Sequence, residues 1–135
     1  MAAADFERVV DLGGSLELTV DAHYNAALAY QRMGHHHAAL VHYEAAIELH
    51  PEHSKAWCNR GNVLLQQGDF ERAAESHTKA IELNPSDYRA YWGRAIANNQ
   101  LSRHDLVNAD LRAYLEIAPT SDPNVESARR LLGES

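Results

Sequence analysis

Displaced by 34 residues, the chain falls into register with itself, without a gap, from Val20 to Ser121. Pro51, Pro85 and Pro119 coincide, and so do Leu49, Leu83 and Ile117. Glu48, Glu82 and Glu116 match, as do Ile47, Ile81 and Leu115. Earlier in the unit, Ala22, Ala56 and Ala90 align, then Ala27, Gly61 and Ala95, then Gly34, Gly68 and Ser102. A repeating piece of this length cannot bury its own apolar face alone; its neighbours must stack on it to make a continuous core. The period therefore restricts the chain to an array.

Each unit reads as helix, turn, helix. The spacing predicts first helices over 21–33, 55–67 and 88–101, and second helices over 37–49, 71–83 and 105–117. Gly34, Gly68 or Ser102 marks the turn between them. Proline ends the second helix, because it lacks the N–H and clashes with the preceding turn. Connections this short make the two helices antiparallel neighbours. Frequent alanine, leucine and glutamate favour the same all-α reading.

Ala27, Gly61 and Ala95 are expected to face Ala39 and Ala73 of the partner helices, where only small side chains let two backbones approach. A larger residue there would overpack, at about 1–3 kcal/mol. Trp57, Tyr30, Tyr43 and Phe70 supply the bulk between.

The second unit, 54–87, resembles a tetratricopeptide repeat at nearly every signature position: Trp57, Gly61, Leu64, Gly68, Phe70, Ala73, Ala80 and Pro85. The first, 20–53, is similar through Ala27, Tyr30, Gly34, Ala39, Tyr43, Ala46 and Pro51, with His23 and His36 in place of two aromatics. The third, 88–121, keeps Tyr91, Ala95 and Pro119 but has Val107 and Tyr114 where alanines are expected, so its helices should pack differently. The resemblance implies a right-handed α-solenoid of antiparallel helix pairs whose first helices line a concave groove.

Residues 1–19 read as the second helix of a further unit, carried by Phe6, Val9, Val10 and Leu12, with a connection over 13–18. This half-repeat either caps the array or marks a longer one. At the other end, 122–135, Asp122 and Pro123 open a capping helix with an apolar stripe of Val125, Ala128, Leu131 and Leu132.

The groove that the resemblance implies draws on Asp21, Tyr24, Asn25, Leu28 and Arg32, on Lys55, Cys58, Asn59, Asn62 and Gln66, and on Arg89, Trp92, Gly93, Ile96, Asn99 and Gln100. Asn25 and Asn59 lie one repeat apart. Each carboxamide offers a donor and an acceptor, so a ladder of them suits the backbone of an extended peptide. Gly93 ends the ladder after two rungs. Lys55 and Arg89, also one repeat apart, suit an acidic group. Tyr24 and Trp92 are aromatic anchors of the kind that carry binding energy, although Trp92 equally suits packing against the capping helix. The main contacts are expected to be Tyr24, Asn25, Lys55, Asn59, Asn62, Arg89 and Trp92.

Family members that hold the C-terminal carboxylate of heat-shock chaperones use five groove positions. Asn59 matches one and Arg89 stands in at another, while Tyr24, Leu28 and Gly93 occupy the rest, which argues against that ligand. Arg60 and Arg94, one residue further on, are expected to point toward the neighbouring helix.

Other function classes find little support. A net charge of −7 opposes general nucleic-acid binding. No stretch approaches the roughly 20 apolar residues of a membrane span. The chain opens with no basic, leader-like segment, and its single cysteine, Cys58, permits no internal disulfide; a reducing, cytoplasmic setting is expected. There is no phosphate loop, HExxH or GxSxG. Cys58 and His23 could approach across adjacent repeats but would lack an oxyanion hole. His35, His36 and His37, and His50 and His53 beside Pro51, have no zinc spacing and read as solvated loop side chains that would make binding sensitive near pH 6.5. No catalytic residue, metal or cofactor is expected. The chain reads as a scaffold or adaptor for another protein or peptide. Self-association, and an accessory role within a larger enzyme, are the alternatives.

Overall fold

The computed structural model describes residues 16–133. Over that span the chain forms α1 (Leu16–Arg32), α2 (His36–Leu49), α3 (Ser54–Gln66), α4 (Phe70–Leu83), α5 (Tyr88–Gln100), α6 (His104–Ile117) and α7 (Val125–Leu131). Each odd helix packs against the even helix that follows it, each even helix against the next odd one, and α3 also touches α5. The result is an all-α solenoid of three helix pairs closed by α7. The expected half-repeat over the first residues lies outside the described residues.

The aligned small residues within the helices are buried: Ala22, Ala56 and Ala90, and likewise Ala27, Gly61 and Ala95. Aspartates cap two helices: Asp69 accepts from the Arg72 N–H of α4 at 3.3 Å, and Asp87 from the Arg89 N–H of α5 at 3.1 Å. Gly34 and Gly68 turn with φ of +77° and +79°. Ser102 does the same job at φ +59°, where its Cβ crowds the backbone. Ser102→Gly is therefore expected to raise stability by about 1 kcal/mol, read as a higher urea midpoint at unchanged slope. An unmoved midpoint would show that Ser102 carries no strain.

Two expectations need correction at the ends. Residues 16–18 belong to α1, so the predicted connection over 13–18 is helical in its last residues. In the repeat register Glu17 stands where later units have Pro51 and Pro85, so no proline interrupts the helix there. In α7, Val125 and Ala128 are buried, but Leu131 is 56% exposed. Leu132, one helical turn after Ala128, turns inward instead.

The degenerate third unit has its own core. Tyr114, which replaces an alanine, is fully buried with Leu111, Val107, Ala95, Val125 and Ala128. Its hydroxyl donates to the Asp122 carboxylate just before α7. The oversized side chain is thus accommodated by the capping segment. Units one and two share a separate cluster around Tyr43 and Leu64, to which α5 contributes Ala97.

Candidate functional site

The candidate face runs along α1, α3 and α5. One contact ties its first two helices together: the Asn59 amide donates to the Tyr24 hydroxyl at 2.9 Å. Tyr24 is half-buried, edge-on to Tyr43 at 5.9 Å and stacked on the His53 ring at 4.8 Å. Burial raises the Tyr24 pKa above its usual 10.0, so the phenol stays protonated. Arg89, from α5, brings its positive charge to bear on the same phenol.

Around this centre Asn25, Lys55 and Arg89 are exposed, while Asn59 and Asn62 are half-buried. The two ladder asparagines differ. Asn25 makes no side-chain hydrogen bond among the described residues, whereas Asn59 has committed one N–H to Tyr24. Trp92 is half-buried with its ring 5.4 Å from Tyr114, in the cluster that includes Val125 and Ala128. It is a wall of the C-terminal core as much as a surface residue.

Two positions assigned to the groove face elsewhere. Cys58 is 4% exposed and packs with Ala80 and Ala90, and burial pushes its thiol up to about 12. It is a small apolar filler with no nucleophilic character at neutral pH. His23 pairs instead with His42, their Nδ1 atoms 3.0 Å apart, so no Cys58–His23 pair forms. Gly93 is buried, and a Cβ there would strike the ring of His77. Gly61 has the same role: a Cβ added there would lie 2.6 Å from the His77 Nε2.

Arg60 and Arg94 turn toward neighbouring helices as expected. Arg60 Nε meets Glu44 at 3.1 Å, and Arg94 meets Asp110 through two bonds.

His53 was not legible as part of the site. It is no solvated loop residue. It precedes α3 as the N-cap, its Nδ1 accepting from the Ala56 N–H at 3.2 Å. The signal was available: His53 is one repeat before Asp87, a capping aspartate. Among the described residues there is no group of three or more histidine, cysteine or carboxylate side chains placed to hold a metal ion, and no helix long and apolar enough to cross a membrane.

An array of antiparallel helix pairs with polar and aromatic side chains running along its first helices defines a class, the helical-repeat solenoids, which present extended surfaces to partners. Within that class, the family model of the tetratricopeptide repeat matches residues 20–53 and 54–87. The chain belongs to the tetratricopeptide repeat family.

Among its relatives is tetratricopeptide repeat protein 6 of Homo sapiens, 28% identical over 101 residues. That match covers 73% of this chain but 19% of the relative, so the chain spans about a fifth of that protein's length. The Arabidopsis OM64 TPR domain superposes with a TM-score of 0.81 at 25% identity, covering 87% of this chain and 97% of that domain. The TPR2B domain of yeast Sti1, solved as a complex with pHsp70, superposes with a TM-score of 0.77 at 21% identity over 84% of this chain and 93% of that one, a likeness of fold.

Proposed function

We propose that this chain is a non-catalytic interaction module, an adaptor or scaffold that holds an extended peptide or a helix of a partner protein against the face of α1, α3 and α5. The observation that carries this reading is the state of its cations. The chain is acidic, and Arg60, Arg72, Lys79, Arg94 and Arg103 are engaged by carboxylates. Among the described residues Arg32, Lys55, Arg89, Arg112, Arg129 and Arg130 make no ion pair; of these, Arg32, Lys55 and Arg89 lie on the helices of the candidate face, where Lys55 and Arg89 stand exposed one repeat apart. Two unneutralised cations flanking the Tyr24–Asn59 pair suit a ligand with an acidic group. Asn25 and Asn62 supply further donors and acceptors for a peptide backbone, and Trp92 supplies apolar area. The yeast complex supports the choice of a protein partner. The heat-shock clamp is still disfavoured, because Gly93 faces His77 and offers the ligand no donor.

Selection from a library of linear peptides displayed on phage tests this. Acidic sequences are expected to be enriched. Lys55→Glu combined with Arg89→Glu is expected to weaken the best of them at least about tenfold, the equivalent of 1.4 kcal/mol. Both side chains are exposed, so stability should stay within about 0.5 kcal/mol of the parent. Binding that survives the double reversal would rule out this face.

A further inference from the structure

The wall of the candidate groove contains a residue held in a position that only its neutral form can occupy. His53 caps α3 through Nδ1, which must be unprotonated to accept the Ala56 N–H. The same ring stacks on Tyr24, whose hydroxyl holds Asn59. Protonation would destroy the acceptor and set a positive charge against the positive end of the helix dipole.

The surroundings offer the charged ring another place. His53 borders a cavity of about 570 Å³ lined also by Leu16, Glu17, Asp21, His50, Glu52 and Lys55. Three of these are carboxylates without an ion-pair partner among the described residues. Glu17 and Asp21 come from α1, Glu52 from the α2–α3 connection and Lys55 from α3. The His50 ring lies 5.9 Å away.

We propose that His53 is a pH-operated latch on the binding face. Neutral, it caps α3 and braces Tyr24 and Asn59; protonated, it leaves the cap for the carboxylates of Glu17, Asp21 and Glu52 and releases Tyr24. This inference rests on the reading of the face as a groove, of which it is the regulation.

Burial, then the nearby His50, lower the His53 pKa below 6.5, while Asp21 acts in the opposite direction. The native state therefore holds its proton less tightly than the unfolded chain. The stability supplied by the cap is present at and above pH 6.5 and is lost as pH falls through the lowered value. The latch is shut at neutral pH and opens on acidification.

The test uses nuclear magnetic resonance on the whole chain without ligand. The Tyr24 ring and the Asn59 side-chain amide are expected to shift with the same midpoint as the His53 imidazole, below pH 6.5. In His53→Asn, which keeps a capping oxygen but does not titrate, that shared transition should vanish. His50→Gln should move the midpoint upward. Tyr24 and Asn59 resonances that ignore the His53 titration, or that still shift together in His53→Asn, would overturn the latch. The peptide selection is a separate arm. If no peptide binds while the coupled titration is seen, the groove reading fails and the latch stands.

Discussion

Arg94→Ala is expected to destabilise the fold by about 3–5 kcal/mol, the range found when one partner of a buried ion pair is removed. Arg94 Nε donates to Asp110 Oδ2 at 2.9 Å and Nη2 to Oδ1 at 2.7 Å, the two-pronged geometry that fits a guanidinium to a carboxylate. Its third nitrogen donates to the Thr78 hydroxyl at 3.2 Å, so one side chain joins α5 to both α6 and α4. Asp110 is only 3% exposed. Truncating the arginine leaves that carboxylate away from water with no countercharge. Urea unfolding at pH 7 measures the loss; a drop under about 1 kcal/mol would mean that water enters the vacated space and solvates the acid.

The same reasoning sets the control. Arg94→Met with Asp110→Leu removes both charges and fills the space with apolar atoms, and it is expected to recover most of the lost stability, since neither desolvation penalty remains. The exposed pairs behave differently. Arg72 with Glu44, and Arg103 with Glu71, lie in water and are worth about 0–1 kcal/mol each. The Arg94 pair, at the junction of the second and third units, is thus the ion pair on which the array most depends.

How much of this was legible in the sequence follows from what kind of information each feature needs. Helix pairing, turn positions and helix ends depend on neighbours a few residues away. Gly34, Gly68, Ser102 and the prolines reveal them because left-handed backbone and helix termination are local constraints. The helical state of residues 16–18 escapes the pattern because Glu17 stands there in place of proline. Contacts between units are a different matter. Gly61 and Gly93 were legible as small, but their shared reason, the His77 ring, sits on a third helix. Tyr114 was visible as too large for its position, yet only the packed structure shows that Asp122 and α7 make room for it. On the candidate face, Lys55, Asn25 and Arg89 stand exposed. Cys58 and Gly93 turned inward because helix-face arithmetic cannot tell which side chains a neighbouring repeat covers. His53 shows the reverse, since register alone would have found it had Asp87 been recognised as a cap.

Acid should weaken the array at one place above all. His77 has no exposed surface, and both ring nitrogens lack a hydrogen-bond partner. It occupies the buried site that Tyr43 fills in the first unit, wedged into a notch made by the missing side chains of Gly61 and Gly93. Burial, and secondarily the charge of Arg94, lower its pKa to about 4. Between about pH 6.5 and 4 the unfolded chain binds a proton that the native chain refuses, so stability falls as pH falls through that window. The full effect, reached near pH 4, is roughly 3 kcal/mol. His77→Phe keeps a flat ring in the notch and cannot titrate. Whatever the new ring changes at pH 7, the parent is expected to lose about 3 kcal/mol more than the variant between pH 6.5 and 4. Measuring both by urea unfolding across that range cancels the other histidines and the carboxylates, which are common to the two chains. Parallel curves would show that the notch opens to water before His77 charges. Gly93→Ala supplies an independent check on the same wedge. Its added methyl meets the ring, so it should destabilise by about 1–3 kcal/mol with His77 present, and by clearly less in a His77→Ala background where the notch is empty.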